Sequence, residues 1–294
     1  MSIAHYCIFI TTIVFYFLSS VWSVGALIKP KRFGLLTTNR FMFAGFIIHT
    51  FYLIFFCIKD KGLPVTNIFE SVIFLIWCII LIFVVVDFLY KLKAVLAFLM
   101  PFVTIFSICS ILFIGNDLAL SGDLQKFWLV AHIIPTFLGY ASFGIAFIAS
   151  IMYITVQRQL RSNFTGTLLT RLPSLEGLDS LIWRTLTFGF PLITLGLVLG
   201  FVWIRFSNIL GSNWLLDHKV MLGIAAWLVY AALLHLRMIA SFHGTKIAVL
   251  TIVGFCLILF TFIGTFFFGS THGFRDKASN GQMEEVIILN EGIN

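Results

Sequence analysis

Apolar residues run along this chain in long blocks separated by short polar turns. Eight blocks stand out, at 3–28, 41–58, 68–90, 94–114, 128–155, 183–206, 219–240 and 247–268. A block of about 18 apolar residues or more is long enough to cross the hydrocarbon core of a bilayer as a helix. Helix is the state such a segment must take, because no water is present to satisfy its backbone groups. The pattern therefore predicts an all-α, polytopic membrane protein with eight spans, of which the first and fifth are long enough to tilt or to extend beyond the bilayer. The first block begins almost at Met1 without a basic leader, which reads as a span rather than a cleaved signal.

The polar turns alternate in charge. The first, third, fifth and seventh carry Lys29, Lys31, Arg32 and Arg40; Lys91 and Lys93; Arg158, Arg161 and Arg171; and Arg237 and Lys246. The second is mixed, with Lys59, Asp60 and Lys61. The fourth has Asp117 and Asp123 against Lys126, and the sixth has Arg205, Asp217 and Lys219. The positive-inside rule then places the odd loops in the cytoplasm and both termini outside. Residues 1–275 form one transmembrane domain in this reading, and 276–294 a short polar tail with Glu284, Glu285 and Glu291.

Composition agrees. Of 294 residues, 60% are hydrophobic and 11% charged, well under the quarter or so typical of soluble domains. The net charge of +7 belongs to the cytoplasmic loops, so nucleic acid is not the expected partner. The cysteines Cys7, Cys57, Cys78, Cys109 and Cys256 lie far apart in or beside apolar blocks, without a CxxC or CxxCH pattern. That excludes covalent haem attachment to this chain by such a motif, and reads the thiols as buried small apolar groups.

Against this background four histidines stand out: His49, His132, His235 and His272. Ionisable groups at membrane depth are costly and mark functional sites. Neutral imidazole is an exception in kind, since it can serve as a metal ligand in a dry site. The predicted orientation sorts them into two depths. His132 opens the fifth span and His272 follows the eighth, both at the outer face; His49 lies midway along the second span, and His235 toward the cytoplasmic end of the seventh. Trp203, Trp214 and Asp217 sit at or near the edges of the outer sixth loop. Two imidazoles from different helices are a common axial pair for b-type haem held without covalent attachment. Trp would supply flat apolar surface, and Arg205, Lys219 and Arg275 are outer cations for propionates. Each element also has a plainer reading. A helix histidine can be a hydrogen-bonded packing residue, Trp203 and Trp214 can be interfacial anchors, Asp217 can cap the seventh helix, and Glu70 can cap or pair. His5, His218 and His243 read as interfacial.

Several stretches resemble a known family. GLPVTNIFESVIFLIW (Gly62–Trp77), FWLVAHIIPTFLGYASFG from Phe127, RLPSLEGLDSL followed by GFPLITLGLVLG, and DHKVMLGIAAWLVYAALLHLR from Asp217 are similar to the haem-handling cytochrome c assembly proteins of the CcsA/ResC/CcmC type, over about residues 40–275. The resemblance implies that His132 and His272 are the external haem ligands and that His49 and His235 hold haem within the membrane. It also implies that Trp203, Trp214 and Asp217 belong to a WWD loop cradling haem. The implied role is delivery of non-covalently bound haem b to apocytochrome c at the outer face of a bacterial cytoplasmic membrane, or of a plastid membrane. The chain would act beside a ResB-like membrane subunit and thiol-redox proteins, at most as part of a haem lyase with no catalytic side chain of its own. The loop departs from the family: it reads Trp214–Leu215–Leu216–Asp217–His218–Lys219–Val220, with Leu216 where a second Trp is usual and without the Pro and Glu. That departure resembles the HemX/YpjD-like relatives and leaves open a regulator of haem biosynthesis acting through the fifth loop, Gln157 to Ser180. A transporter using the buried histidines is a third reading, opposed by the absence of a visible inverted repeat.

Overall fold

The computed structural model describes residues 3–29, 31–60, 62–65, 67–114, 123–162, 172–207, 218–239 and 243–267. Regular structure among the described residues is helical throughout: α1 (Ile3–Ile28), α2 (Leu35–Asp60), α3 (Ile68–Tyr90), α4 (Leu96–Ser110), α5 (Asp123–Arg161), α6 (Leu175–Ser207), α7 (His218–Ile239) and α8 (Thr245–Phe267). The first seven are long and apolar enough to cross a membrane, and α8 is apolar over Thr245–Thr261. The protein is an all-α polytopic membrane protein.

Three helices reach beyond their apolar blocks, while α4 is shorter than its own and is flanked by tighter turns at both ends. α2, α5 and α6 begin earlier than the hydropathy suggests, and α5 also runs on to Arg161. His132 therefore does not open α5; it lies nine residues in from Asp123. Polar residues beyond the hydrocarbon boundary continue a helix at little cost when neighbours pack against it. At α3 the start is set by local chemistry: Asn67 Oδ1 accepts the Glu70 N–H at 2.8 Å while Asn67 Nδ2 donates to Glu70 Oε1 at 3.0 Å. Glu70 thus completes a reciprocal cap, the two side chains tied at a helix N-terminus.

Side-chain bonds gather the ends of α3, α5 and α7 with the starts of α6 and α8. Arg237 donates to both carboxylate oxygens of Asp179, at 3.0 and 2.6 Å, and the Gly244 N–H reaches the same carboxylate at 3.3 Å. Arg184 donates to the Tyr90 hydroxyl at 2.6 Å and Thr245 to Gln157 Oε1 at 2.5 Å. Successive helices therefore alternate in direction, as the charge pattern requires.

The packing has an order that the apolar blocks do not display. α1 packs on α2 and α4, and α3 completes a ring by packing on α2 and α4. α5 packs on α6 and α8, and α7 completes a second ring by packing on α6 and α8. The rings meet along α3 and α5, the most buried of the helices. α3 is apolar around its whole circumference from Val72 to Val86, as a helix with neighbours on every side must be. α5 presents Ala141, Gly144, Ala146 and Ala149, small residues that let helices approach closely in lipid. The outer helices turn Phe17, Phe51, Phe188 and Leu228 outward, a surface suited to acyl chains. Cys7, Cys109 and Cys256 also face outward and only Cys78 is buried. The expectation of buried thiols thus holds for one of the five: a helix whose surround is hydrocarbon has no need to hide them.

Candidate functional site

The α5–α6 pair holds His132. α6 turns Gly189, Gly196 and Gly200 toward α5, and each glycine clears a place for an α5 side chain. A Cβ at Gly189 would stand 2.7 Å from the Phe143 ring, one at Gly196 would collide with Thr136, and one at Gly200 would stand 2.8 Å from His132 Nδ1. The imidazole consequently lies against bare backbone, and its Nδ1 is 2.7 Å from the Gly196 carbonyl oxygen. A carbonyl only accepts, so Nδ1 carries the proton. The lone pair then resides on Nε2, which is the form a neutral histidine needs to bind a metal. A backbone carbonyl on the distal nitrogen is the usual second-shell partner of a metal-binding histidine.

Trp203 sits one turn beyond Gly200 in α6, with its ring parallel to His132 within 1° at a centroid distance of 6.5 Å. It lies within α6 rather than in a loop, is 8% exposed, and its buried Nε1–H has no hydrogen-bond partner among the described residues. A ligand on His132 Nε2 lies in the imidazole plane, to which the Trp203 face is parallel. The indole is therefore placed to hold the imidazole's orientation, and its orphaned N–H is available to an acceptor brought to the site. An imidazole whose Nδ1 is held by a backbone carbonyl, beside a buried indole N–H without a partner among the described residues, is the kind of donor set a haem with acidic side groups would require.

The α1–α2 pair holds His49. The buried face of α1 runs His5, Phe9, Thr12, Tyr16, Ser19, Ser23 and Ala26, alternating three and four residues apart; that of α2 runs Thr38, Met42, Gly45, His49, Tyr52 and Phe56 in the same rhythm. This is the spacing of a coiled-coil seam. His49 is 1% exposed, its Nδ1 3.1 Å from the Tyr16 hydroxyl, and its Nε2 has no hydrogen-bond partner. Tyr52 lies beside it, tilted by 59°, at 6.2 Å between ring centroids. His5, expected at the interface, is also buried (1% exposed), with ring contacts to Tyr52, Phe55 and Phe56. The tight α1–α2 seam carries it inward.

His235 is exposed on α7, one turn before the end of that helix at Ile239. α2 packs on α1 and α3 and α7 on α6 and α8, so these packings do not themselves bring His49 and His235 together. Trp214, Asp217, His272 and Arg275 lie outside the described residues, and so does the side chain of Lys219. Arg205 is exposed at the end of α6, two residues from Trp203. Sequence reasoning missed the partners that fix the histidines: Tyr16, Tyr52, and the glycines at 196 and 200. The glycine pair one turn apart on α6 was the one legible signal. It also missed the Arg237–Asp179 clamp, over which Trp183 lies 5.1 Å from the guanidinium.

Comparison with known proteins places this geometry. The family profile described as "Cytochrome C assembly protein" matches residues 65–272, a stretch that contains His132, Trp203, Trp214, Asp217, His235 and His272 and begins after α2. The chain is 32% identical over 242 residues to a protein from Prochlorococcus marinus (strain MIT 9515) named cytochrome c biogenesis protein CcsA, covering 74% of this chain and 76% of that one. It is 31% identical over 240 residues to the protein of that name from Guillardia theta, covering 72% and 76%. A second strain of Prochlorococcus marinus, AS9601, has one that is 30% identical over 284 residues, covering 87% and 90%. With its profile match spanning α3 to the segment after α8 and these relatives matched over most of their length, the chain belongs to the cytochrome c assembly protein family, of the CcsA type.

Proposed function

We propose that this protein binds haem and hands it over during cytochrome c maturation, at the outer face of a cytoplasmic or plastid membrane. The observation that carries the reading is the His132 imidazole, locked by the Gly196 carbonyl in the tautomer whose Nε2 can bind iron. The relatives' name, cytochrome c biogenesis protein CcsA, supports the pathway, and their occurrence in a cyanobacterium and an alga is compatible with either membrane.

In this reading His132 and His272 supply the outer pair of axial ligands, and His49 and His235 the pair at membrane depth. Trp203 holds the outer imidazole in orientation, while Trp214 and Asp217 belong to the loop that presents the cargo to apocytochrome c. The haem is non-covalently held haem b, and its vinyl groups bring the bond-forming chemistry; the protein contributes ligation, orientation and shielding of the iron. A ResB-like membrane subunit and thiol-redox proteins are the partners this division of labour calls for. The charge asymmetry of the loops supports external termini.

The visible spectrum of the purified chain, from cells making ample haem, tests the reading. A Soret band with a bis-imidazole signature is expected, lost in His132→Gly and restored by added imidazole. A colourless wild-type protein would remove the proposal.

A further inference from the structure

The two rings of helices repeat one arrangement, each ring being one unit. Their packing partners correspond helix by helix, α1 to α5, α2 to α6, α3 to α7 and α4 to α8. Gly45, Phe46 and Thr50 of α2 recur at the same spacing as Gly189, Phe190 and Thr194 of α6. Each threonine hydroxyl donates to the carbonyl of the phenylalanine one turn back, at 2.8 Å in both cases. Each also receives the indole N–H of a tryptophan on the next helix: Trp77 to Thr50 at 3.0 Å, Trp227 to Thr194 at 2.9 Å. Each tryptophan stacks on its phenylalanine, at 5.8 and 5.6 Å between ring centroids. The seams share a register: a Cβ on Gly45 would meet the Tyr16 ring at 2.7 Å, as one on Gly189 would meet Phe143 at 2.7 Å. The helices run in the same sense in both units, so the repeat is parallel, of the kind related by an axis along the membrane normal.

The same register matches Arg40 of α2 with Arg184 of α6, each five residues before its glycine. Both arginines are exposed, and both stand where an apolar block begins, at 41 and at 183. Exposed apolar residues then follow on the same helix face at matching positions: Ile47, Phe51 and Ile54 on α2, and Pro191, Leu195 and Val198 on α6. Each arginine therefore heads an apolar stripe turned away from the bundle. Among the described residues no carboxylate lies within ion-pair distance of either one. Arg184 is nevertheless held in place. Its Nε donates to the Ser180 hydroxyl at 3.1 Å and its Nη1 to the Tyr90 hydroxyl at 2.6 Å, with the guanidinium 4.5 Å from the centre of the Tyr90 ring. Those partners are neutral and occupy only part of the guanidinium's five N–H donors, so its charge and the remaining donors stay available. Lys91, next to Tyr90, is exposed as well. α2 and α6 run in the same direction, which puts both arginines at one end of the bundle. A charge with no counter-charge, kept in both units where hydrocarbon begins and with an apolar path beneath it, is complementary to an amphiphile with an anionic head. The planar fork of arginine suits a phosphate in particular, and basic groups at helix ends are where anionic lipid headgroups are recognised.

We propose that Arg40 and Arg184 are binding positions for anionic phospholipid, one in each unit, the guanidinium taking the headgroup phosphate and the stripe beneath it an acyl chain. The two sites lie on the lipid-facing surface, away from His49 and His132, and do not depend on the haem-handling reading. Arg40 lies in a part of the chain, residues 1–64, that the family profile does not reach.

The test reconstitutes the full-length protein into vesicles of equal parts phosphatidylcholine and phosphatidylglycerol, re-extracts it at high salt and counts retained phosphatidylglycerol by mass spectrometry. High salt screens general attraction between exposed charges. The wild type should keep one phosphatidylglycerol per arginine. Arg40→Gln and Arg184→Gln should each bind the lipid about tenfold more weakly at their own site, as expected for loss of hydrogen bonds to a charged group, and the double variant should keep none. Arg40→Gln breaks no bond to the rest of the described chain, so its melting midpoint in phosphatidylcholine alone should equal that of the wild type. Arg161→Gln removes the same charge from the exposed end of α5 and should keep the full complement. Inorganic phosphate in excess should displace nothing, because it brings no acyl chain. Wild-type retention in the double variant, or equal loss in Arg161→Gln, would overturn the proposal and leave the arginines as charges that only orient the chain. Displacement by inorganic phosphate would overturn the choice of a lipid. The haem spectrum plays no part in the count, so failure here leaves the haem reading standing.

Discussion

The α1–α2 and α5–α6 seams share one frame and fill it differently. Both pair a histidine near the start of the first helix with a neighbouring helix packed at the same register. In α6 the facing residues are Gly196 and Gly200, so the His132 ring lies on the backbone and a carbonyl sets its tautomer. In α2 they are Tyr52 and Phe56, so His5 is enclosed by rings, and the polar partner shifts inward to the Tyr16–His49 pair. The fixing group thus differs in kind, a peptide carbonyl in one seam and a phenol in the other. A carbonyl admits a single imidazole tautomer, whereas a phenol can donate or accept and admits both. The second seam therefore fixes the tautomer of its histidine, and the first leaves both tautomers of His49 compatible with its partner.

The comparison can be broken most severely at the glycines. Gly196→Leu should push α5 and α6 apart and cost about 3 kcal/mol, with loss of the His132-dependent haem spectrum; thermal unfolding and absorbance read both. Met42→Leu, in the first seam, should do neither. The second ring of helices has a clamp, Arg237 on Asp179, at positions where the first has Asp87 and Leu35. Asp179→Ala should destabilise by about 2 kcal/mol, below the full cost of breaking a buried pair because Asp179 is partly exposed. Asp179→Ala with Arg237→Ala should recover part of that loss in a double-mutant cycle. Tyr16→Phe should cost about 1 kcal/mol for its hydrogen bond. It should weaken the His49-dependent haem population about tenfold, as loss of a second-shell partner does; unchanged affinity would detach Tyr16 from that site. The smallest and sharpest effect is paired. Thr50→Val and Thr194→Val should each cost about 1 kcal/mol, and clearly unequal losses in melting experiments would argue against equivalent units.

Much of the architecture was legible before any coordinates. Apolar blocks gave the helices, because the bilayer leaves few alternatives, and loop charge gave an alternation that the bonds joining the ends of α3, α5, α6, α7 and α8 match. His49 and His132 were legible as polar rings in apolar surroundings. Trp203 was read as lying near a loop edge and is instead buried within α6: hydropathy places a residue along the membrane normal but not around a helix, and the α5–α6 packing turned it inward. The displacement of His5 from interface to interior has the same origin. The repeat escaped notice because it survives as three identities in a six-residue stretch, GFIIHT against GFPLIT; its strength lies in which helices touch.

By itself, then, the order of residues determined the apolar helices and their number, since these follow from one-dimensional transfer between water and hydrocarbon. Tertiary structure alone decided azimuth and company: which face of α5 meets the glycines of α6, which nitrogen of His132 meets the Gly196 carbonyl, and that Tyr16 stands against His49. Those outcomes depend on close approach between segments far apart in the chain, where the presence or absence of a single Cβ, as at Gly196, settles what can touch.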